Sequence, residues 1–318
     1  MFGPDYMKDG LDWKKEHFAL QKIKKLNNLK KLVLAAQKAP NPKIRAAAAE
    51  RLSDQAVLFE IAKNDPELTV RRTAVRKLTD PAALAELAKT HSTWETRLEA
   101  VKKLTDQAVI ADIVRNEMDS GVRYEAVELL TDQALLSEAA LHDTNYFVRL
   151  AAVNKLTDQT VAAKVATTDK EPNIRQAATE KLTNQTVLAK IAAKDKKAEI
   201  RQAAAEKLTD QAALLEIAES DSSPIVRRAA ISGLTDQAIL ERFAREGRSD
   251  MERNAAGEKL TKCASGHDFV FEREESDRRD DDQMRLITYT YYRCSRCGKK
   301  HTRVDDGWGR VSEFDSGW

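Results

Sequence analysis

The sequence predicts an all-α protein built as a solenoid of paired helices, followed by a small C-terminal module with a β-hairpin. Three observations carry this prediction. A leucine recurs every 26 residues without a slip, and an alanine stands four residues before each of these leucines. After Leu260 the pattern stops, and cysteines and β-branched residues begin. A fixed period between about 20 and 50 residues indicates stacked structural repeats.

The two columns define the repeats. The leucines are Leu52, Leu78, Leu104, Leu130, Leu156, Leu182, Leu208, Leu234 and Leu260, and Leu26 begins a degenerate copy one period earlier. The alanines are Ala48, Ala74, Ala100, Ala126, Ala152, Ala178, Ala204, Ala230 and Ala256. An alanine in every copy predicts helices that approach too closely for a larger side chain.

The N-terminal segment, residues 1–25, is predicted to form a capping helix. Trp13, Phe18, Ile23 and Leu26 fall on one side of this helix and many lysines on the other. A helix on a membrane surface or on nucleic acid has the same pattern. We favour the cap, because a solenoid needs a polar unit at its end.

About nine repeats fill residues 26–262, and each reads as two short helices. In residues 174–199, apolar or small residues at Ile174, Ala178 and Leu182 have the spacing of one helix face. The "LTD" or "LTN" that follows supplies an N-cap for a second helix. Helices this short persist only by packing against neighbouring repeats.

Two charged columns accompany the repeats. Seven residues before each leucine stands an arginine: Arg45, Arg71, Arg97, Arg123, Arg149, Arg175, Arg201, Arg227 and Arg253. Six residues before most of these stands an acid: Asp65, Glu117, Asp143, Asp169, Asp195 and Asp221. A basic stripe for phosphates is one interpretation. A ladder of ion pairs that ties adjacent repeats together is the interpretation we favour.

The "VRxxAxxxL" pattern over residues 15–262 resembles the HEAT-repeat superfamily, particularly its short bacterial variants. The resemblance implies a right-handed α-solenoid of HEAT-like helix pairs in which Asp/Arg pairs form such a ladder. Leucine-rich variant repeats are also short and stay open as an alternative. The resemblance is specific for architecture and nearly silent on activity.

The C-terminal module, residues 263–305, has the spacing of a zinc site. Cys263-x3-His267 and Cys294-x2-Cys297 are two pairs of ligands separated by "DFVFERE" and "LITYTYYR", which are predicted strands. The module resembles a zinc ribbon, with one structural zinc per chain that caps the solenoid. His301 is a rival fourth ligand, and three unligated thiols are the plain alternative. Residues 306–318 are predicted to be a flexible tail.

One group of bulky apolar residues stands where the repeats otherwise vary. These residues are Trp94, Leu98, Tyr124, Tyr146, Phe147 and Leu150. Their spacing stacks them into a patch on the first helices of the middle repeats. An exposed patch rich in aromatics marks a protein-binding site, whereas aromatics folded inward would only fill the core.

Composition limits the function. The 318 residues include 53 basic and 51 acidic ones, so no global charge favours nucleic acid or an anionic membrane. No run of 18 apolar residues and no signal peptide is present, and three cysteines after residue 262 do not form a disulfide framework. The sequence therefore predicts a cytoplasmic protein with no membrane partner.

Three functions compete, and the first is favoured. It is a non-enzymatic scaffold that binds a protein or peptide. The second is a nucleic-acid binder, since the residue before the leucine is basic in seven of nine copies (Arg51, Lys77, Lys103, Lys155, Lys181, Lys207 and Lys259). The third is an enzyme, by analogy with HEAT-type lyases, but no catalytic constellation supports it.

Overall fold

Paired helices follow one another from residue 13 to residue 264. The computed structural model describes residues 13–264, 269–279, 285–294, 300–305 and 311–316, with side chains over residues 16–260. The first helices of the pairs are α1 (Trp13–Lys25), α3 (Pro42–Ala49), α5 (Leu68–Lys77), α7 (Trp94–Val101), α9 (Ser120–Leu129), α11 (Tyr146–Lys155), α13 (Pro172–Lys181), α15 (Ala198–Glu206), α17 (Pro224–Gly233) and α19 (Asp250–Ala264). The second helices are α2 (Leu29–Lys38), α4 (Gln55–Asn64), α6 (Pro81–Thr90), α8 (Gln107–Asn116), α10 (Gln133–His142), α12 (Gln159–Thr168), α14 (Gln185–Lys194), α16 (Gln211–Ser220) and α18 (Gln237–Glu246). From α3 and α2 onward both series begin at intervals of 26 residues, which confirms the predicted repeat of helix pairs.

The alanine and leucine columns form the core of the repeats. All nine alanines have no solvent-exposed surface, and the leucines from Leu52 to Leu234 are at most 6% exposed. First helices of consecutive repeats pack directly on one another, as α5 does on α7 and α13 on α15. The prediction that this column allows close helix approach is confirmed.

The aspartate of the repeated motif caps the second helix of each pair. The carboxylate of Asp106, for example, accepts hydrogen bonds from the backbone N–H groups of Ala108 at 2.8 Å and Val109 at 3.4 Å. The same cap occurs at Asp54, Asp80, Asp132, Asp158, Asn184, Asp210 and Asp236. The predicted N-caps are therefore confirmed along the whole array.

The chain divides into two compact units, Met1–Val161 and Ala162–Trp318. In the first unit, α1 packs on α3, and Glu16 of α1 accepts hydrogen bonds from Asn41 and Lys43. Ile23 is buried, but the prediction that Phe18 shares its apolar side is wrong, since Phe18 is 60% exposed with Lys22 over its ring. Trp13 lies outside the described side chains.

The second unit ends in an antiparallel sheet in the order β1-β2-β3-β4. Its strands are β1 (Phe269–Arg279), β2 (Arg285–Cys294), β3 (Lys300–Asp305) and β4 (Val311–Ser316). Strand β4 lies in the segment 306–318, for which the sequence predicts a tail rather than a strand. Helix α19 runs to Ala264 and so includes Cys263, which the sequence places at the start of the module.

None of the helices in the described ranges has both the length and the apolar character needed to cross a membrane.

Candidate functional site

The aromatic stripe consists of Trp94, Leu98, Tyr124, Tyr146, Phe147 and Leu150, on three consecutive first helices of the first unit. Trp94 and Leu98 lie four residues apart on α7, as Tyr146 and Leu150 do on α11, so each pair shares a helix face. Tyr124 occupies the corresponding position on α9, between them. Helix α9 packs on both α7 and α11. The stripe therefore crosses three adjacent repeats.

The four aromatic side chains of the stripe are open to solvent. The exposed fraction is 44% for Trp94, 39% for Tyr124, 38% for Tyr146 and 54% for Phe147. Leu98 and Leu150 are half-buried. The alternative that these aromatics fold inward to fill the core is therefore wrong. Most first helices elsewhere in the array carry small or polar residues at the equivalent positions, such as Pro172, Gln176, Ala198 and Gln202.

The start of α11 is ordered by local contacts. Asn145 caps the helix, and its side-chain oxygen accepts from the N–H of Phe147 at 2.8 Å. The rings of Tyr146 and Phe147 lie with their centroids 3.8 Å apart at an interplanar angle of 33°. These two aromatic residues therefore present one continuous apolar surface.

Sequence reasoning missed one exposed apolar residue in the same three repeats. Met118 is 93% exposed and lies in the turn before α9. It is thus at the N-terminal end of α9, and Trp94 is at the N-terminal end of α7. Methionine is a flexible, polarizable side chain that adapts to different partners. Its only signal in the sequence is its position two residues before the helix start, where the neighbouring repeats have Ser92 and Thr144.

Three glutamates stand next to the stripe in the sequence, while Lys102, at the end of α7, occupies the position that Glu128 has on α9. Glu95 and Glu125 are half-buried on α7 and α9, and Glu128 is exposed one turn after Tyr124. The charge of Glu128 raises the pKa of the Tyr124 hydroxyl, helped by burial and by a hydrogen bond to Glu128. Glu99 differs from these acids, because Arg72 reaches it at 3.2 Å in an ion pair.

The arginine column forms a ladder between consecutive repeats. In a typical rung, the Nε and Nη2 atoms of Arg175 donate to the carboxylate of Asp195, 20 residues later, and Nη1 donates to the backbone carbonyl of Asp169, six residues earlier. In the described residues this fork occurs at Arg45–Asp65, Arg97–Glu117, Arg123–Asp143, Arg175–Asp195 and Arg201–Asp221. Each acid thus accepts hydrogen bonds from two arginines. Its backbone carbonyl accepts from the arginine six residues later, and its carboxylate accepts from the arginine 20 residues earlier. These arginines are held by protein groups, as the ladder interpretation requires.

Hydrogen bonding sets the ionisation of the ladder. Burial alone raises the pKa of the Asp195 and Asp221 carboxyls, but hydrogen bonds from Arg175 and Arg201 and from backbone N–H groups outweigh it, so both pKa values are lowered. The hydrogen bonds to these carboxylates raise the pKa of both guanidinium groups. All four groups are therefore charged at neutral pH.

The ladder changes at two of the predicted arginines. Arg71 has no carboxylate, because His91 stands where the acid would be; its Nε donates to the Thr96 hydroxyl at 2.9 Å. Arg227 instead donates to Glu252, since the position of the acid is Gly247. The prediction of an Asp–Arg ladder is therefore wrong for the fork of Arg71, and the partner of Arg227 is a glutamate.

Arg149 and Asp169 also take part in the ladder. Arg149 donates to the carbonyls of Asp143 and Thr144. The carboxylate of Asp169 accepts from the N–H of Glu171, and its carbonyl accepts from Arg175.

The basic column before the leucines supports the helix ends. Lys103 donates to the carbonyls of Val75, Arg76 and Leu78 at the end of α5, and burial lowers its pKa. Lys155 and Lys207 reach the corresponding carbonyls one repeat earlier, and Arg51 reaches those of Ile23 and Leu26. Cations near helix C-termini satisfy the last carbonyls of the helix. Much of the basic column on which the nucleic-acid hypothesis rests is therefore explained by these contacts with helix ends.

A glutamine ladder, which sequence reasoning missed, links the repeated motifs to one another. The side-chain oxygen of Gln107 accepts from the N–H and the hydroxyl of Thr131 at 2.9 Å each, and its nitrogen donates to the carbonyl of Leu129. The same contacts occur from Gln55, Gln133, Gln185 and Gln211. The glutamine column itself was the available signal. Leucine, threonine, aspartate and glutamine of the motif therefore all have structural roles.

The candidate metal ligands lie largely beyond the described side chains. His267 and Cys297 lie outside the described residues, and for Cys263, Cys294 and His301 only the backbone is described. In strand register, Cys294 pairs with Phe269 and His301 pairs with Tyr292. Among the side chains that are described, no group of three His, Cys, Asp or Glu residues is arranged to hold a metal.

Comparison with known proteins gives one distant likeness in structure. No protein family matches the sequence, and no curated protein does. Among solved structures, the X-ray structure of YibA from Escherichia coli is similar, with 15% identity and a TM-score of 0.40 over 70% of this chain and 97% of YibA. A likeness this distant carries no statement about function. The chain is a helical repeat array by its own geometry.

Proposed function

We propose that this chain is a non-enzymatic scaffold that binds a protein or peptide through the aromatic stripe, and that its helix pairs are HEAT-like. One observation carries the proposal: four exposed aromatic side chains lie on three adjacent helices of an array whose repeated columns are engaged in packing and hydrogen bonds. Exposed aromatic clusters mark interaction sites, and aromatic residues dominate binding energy at interfaces.

The charge around the stripe selects the partner. Glu128 acts on the Tyr124 hydroxyl, and Glu95 and Glu125 directly follow Trp94 and Tyr124 in the sequence. Aromatic rings can also hold a cation over their faces. A segment with apolar side chains flanked by lysine or arginine complements both features, because the apolar groups cover the rings and the cations face the acids. We therefore propose a basic, apolar peptide segment as the ligand.

The same charges disfavour the nucleic-acid alternative. Phosphate groups at the stripe would meet Glu95, Glu125 and Glu128, and Lys102 at the end of α7 is already paired with Glu99 at 3.8 Å. Lys103 and Lys155, the basic residues of the neighbouring column in these repeats, already hold backbone carbonyls. A protein partner therefore fits this surface better than a phosphate backbone.

Selection from a random displayed peptide library tests this proposal. We expect wild-type chain to enrich peptides with apolar residues flanked by Lys or Arg. The double variant Trp94→Ser/Phe147→Ser should bind the selected peptides with an affinity lower by about tenfold or more, because hot-spot aromatics contribute most of the interface energy. The matched control is Phe18→Ser, which removes an exposed aromatic from α1 and should leave affinity unchanged.

A charge variant tests the chemistry of the partner separately. Glu128→Lys should lower the affinity for basic peptides about threefold to tenfold, since a like charge then faces them. No enrichment, or equal binding to the stripe variant and to wild type, would refute the stripe as the site. Equal binding to Glu128→Lys would refute only the basic partner.

We also propose that Cys263, His267, Cys294 and Cys297 hold one structural zinc. The register of the hairpin supports this, since Cys294 pairs with Phe269, two residues after His267 in the chain. Three thiolates and an imidazole form a closed set of four ligands that suits a structural zinc. Such a site contributes to folding, because the ligands must converge on the ion.

Metal analysis of protein purified without added zinc tests this proposal. We expect about one zinc ion per chain, as a single four-ligand site requires. Cys294→Ser should remove the metal, His267→Ala should weaken binding, and His301→Ala should leave it intact. If His301→Ala alone abolishes binding, the fourth ligand is His301; no metal under reducing conditions refutes the site.

A further inference from the structure

Clefts recur where the turn of one repeat faces the next, and each contains one rung of the arginine ladder. One holds Arg45 and Asp65 with a volume of about 540 Å³, one Arg175 and Asp195 with about 570 Å³, and one Arg201 and Asp221 with about 410 Å³. The first belongs to the first unit and the other two to the second. Because the repeat dictates the clefts, differences in their lining reflect the sequence and not the architecture.

The Arg175 cleft differs from the other two in charge. Five lysines line it: Lys170, Lys190, Lys194, Lys196 and Lys197. Its acids are Asp169 and Asp195, and the carboxylate of Asp195 is bound by Arg175 at 2.8 Å. The Arg201 cleft has no lysine and includes Glu216, whereas the Arg45 cleft has Lys38 balanced by Glu60. Of these three clefts, only that of Arg175 therefore has an excess of positive charge.

All five lysines are exposed, and none of their ammonium groups has an ion pair or hydrogen bond within the part of the chain that the structure describes. Elsewhere, a lysine on one second helix forms an ion pair with an acid on the second helix of the next repeat, as Lys63 does with Glu86 at 2.8 Å. In the Arg175 cleft, Lys190 occupies the position of Glu86 and Thr167 occupies that of Lys63. Both partners of the ion pair are therefore replaced, and Lys190 has no acid at the partner position. Like charges so close together repel one another, and an anion between them would relieve the repulsion.

We propose that the Arg175 cleft binds a small anion that carries several phosphate groups. Lysine ammonium groups are compact charges that bind phosphate well, and five of them around a cleft of about 570 Å³ match the size of a small polyphosphorylated ligand. The cations do not continue into the next cleft, where Glu216 and Asp221 stand, so a long nucleic-acid strand would meet acids. Flanking Glu171 and Glu199 lie outside the cleft lining.

Isothermal titration with inorganic tripolyphosphate at low salt tests the proposal. We expect saturable binding at one site, weakened strongly by added salt. The triple variant Lys190→Gln/Lys194→Gln/Lys197→Gln should weaken it about tenfold or more, as the loss of three ammonium contacts implies. The matched control Lys24→Gln/Lys25→Gln/Lys30→Gln removes the same charge from exposed lysines of the first two helices and should change affinity less than about twofold.

Three outcomes would overturn the proposal. The first is no saturable binding to wild type, and the second is equal weakening in both triple variants, which would mean non-specific charge attraction. The third is tighter binding of a single-stranded oligonucleotide than of tripolyphosphate, which would assign the surface to nucleic acid. Citrate serves as a carboxylate of similar charge and should bind more weakly than tripolyphosphate. All substituted lysines are exposed, and thermal melting verifies that each variant is folded.

Discussion

Asp221→Ala removes one rung of the arginine ladder and gives the sharpest test of its role. Asp221 accepts from Arg201 Nε at 2.7 Å, from Arg201 Nη2 at 2.9 Å and from the N–H of Ser223 at 2.7 Å. The side chains of Arg201 and Asp221 are only 12% and 7% exposed. Removing one partner of a buried pair costs about 3–5 kcal/mol. Arg201 keeps its bond to the carbonyl of Asp195, so we expect a loss of about 2–4 kcal/mol.

Urea unfolding followed by far-UV circular dichroism measures this loss, with Glu219→Ala as the control. Glu219 lies two residues earlier, near the end of α16, and pairs with Arg242 at 2.5 Å, but both side chains are nearly half exposed. An exposed pair contributes about 0–1 kcal/mol. If the two variants lower the free energy of unfolding equally, burial does not make the ladder stabilising and the reasoning fails.

The same variant has a predicted pH dependence. The pKa of Asp221 in the folded chain is lowered, so its contribution is present above the unfolded value of about 3.9 and is lost as pH falls through the folded value. The stability difference between wild type and Asp221→Ala should therefore be full near neutral pH and shrink below about pH 4. A difference that stays constant into strong acid would contradict the ionised pair.

The remaining predictions concern the core and the altered rung. Ala152→Leu should destabilise by about 1–3 kcal/mol through overpacking, since Ala152 has no exposed surface, while Ala56→Leu at an exposed position should be neutral; an unchanged melting midpoint for Ala152→Leu would mean that the column is not tightly packed. His91→Asp with Thr96→Val gives Arg71 the carboxylate found in other repeats and should stabilise by about 1 kcal/mol in urea unfolding, whereas a loss would show that the hydroxyl of Thr96 serves Arg71 better. Burial lowers the pKa of His91, and Arg71 lowers it further, so wild type should lose stability as pH falls below about 6.5 and the double variant should lose less; identical profiles would contradict this.

The repeat architecture follows from the sequence because its signals are local and periodic. The N-cap of Asp106, the buried Ala152 and the 26-residue interval each depend on spacing along one helix or one repeat. The connectivity of the ladders depends instead on how repeats stack, which spacing alone does not fix. Gln107 and Lys103 therefore read as surface polar residues, although both satisfy backbone groups of a neighbouring repeat.

The aromatic stripe shows a second limit of sequence reasoning, which concerns the exposure of side chains. Its residues could be named from their positions, but spacing along one helix does not fix whether their rings face solvent or the core. Phe18 has the same apolar character, and periodicity wrongly assigns it to a packed face. At Arg71 the sequence shows the missing acid, yet only the packing brings Thr96 within hydrogen-bond distance of the guanidinium.

The central claim is a division between columns that hold the repeats together and a stripe that binds a partner. Measuring the affinity of one selected peptide and the unfolding free energy for both Trp94→Ser/Phe147→Ser and Asp221→Ala tests it most directly. We expect the stripe variant to lose about tenfold or more in affinity with little change in stability, and the ladder variant to lose stability while its folded form binds normally. The claim is contradicted if the stripe variant unfolds as readily as the ladder variant, or if it binds the peptide as wild type does.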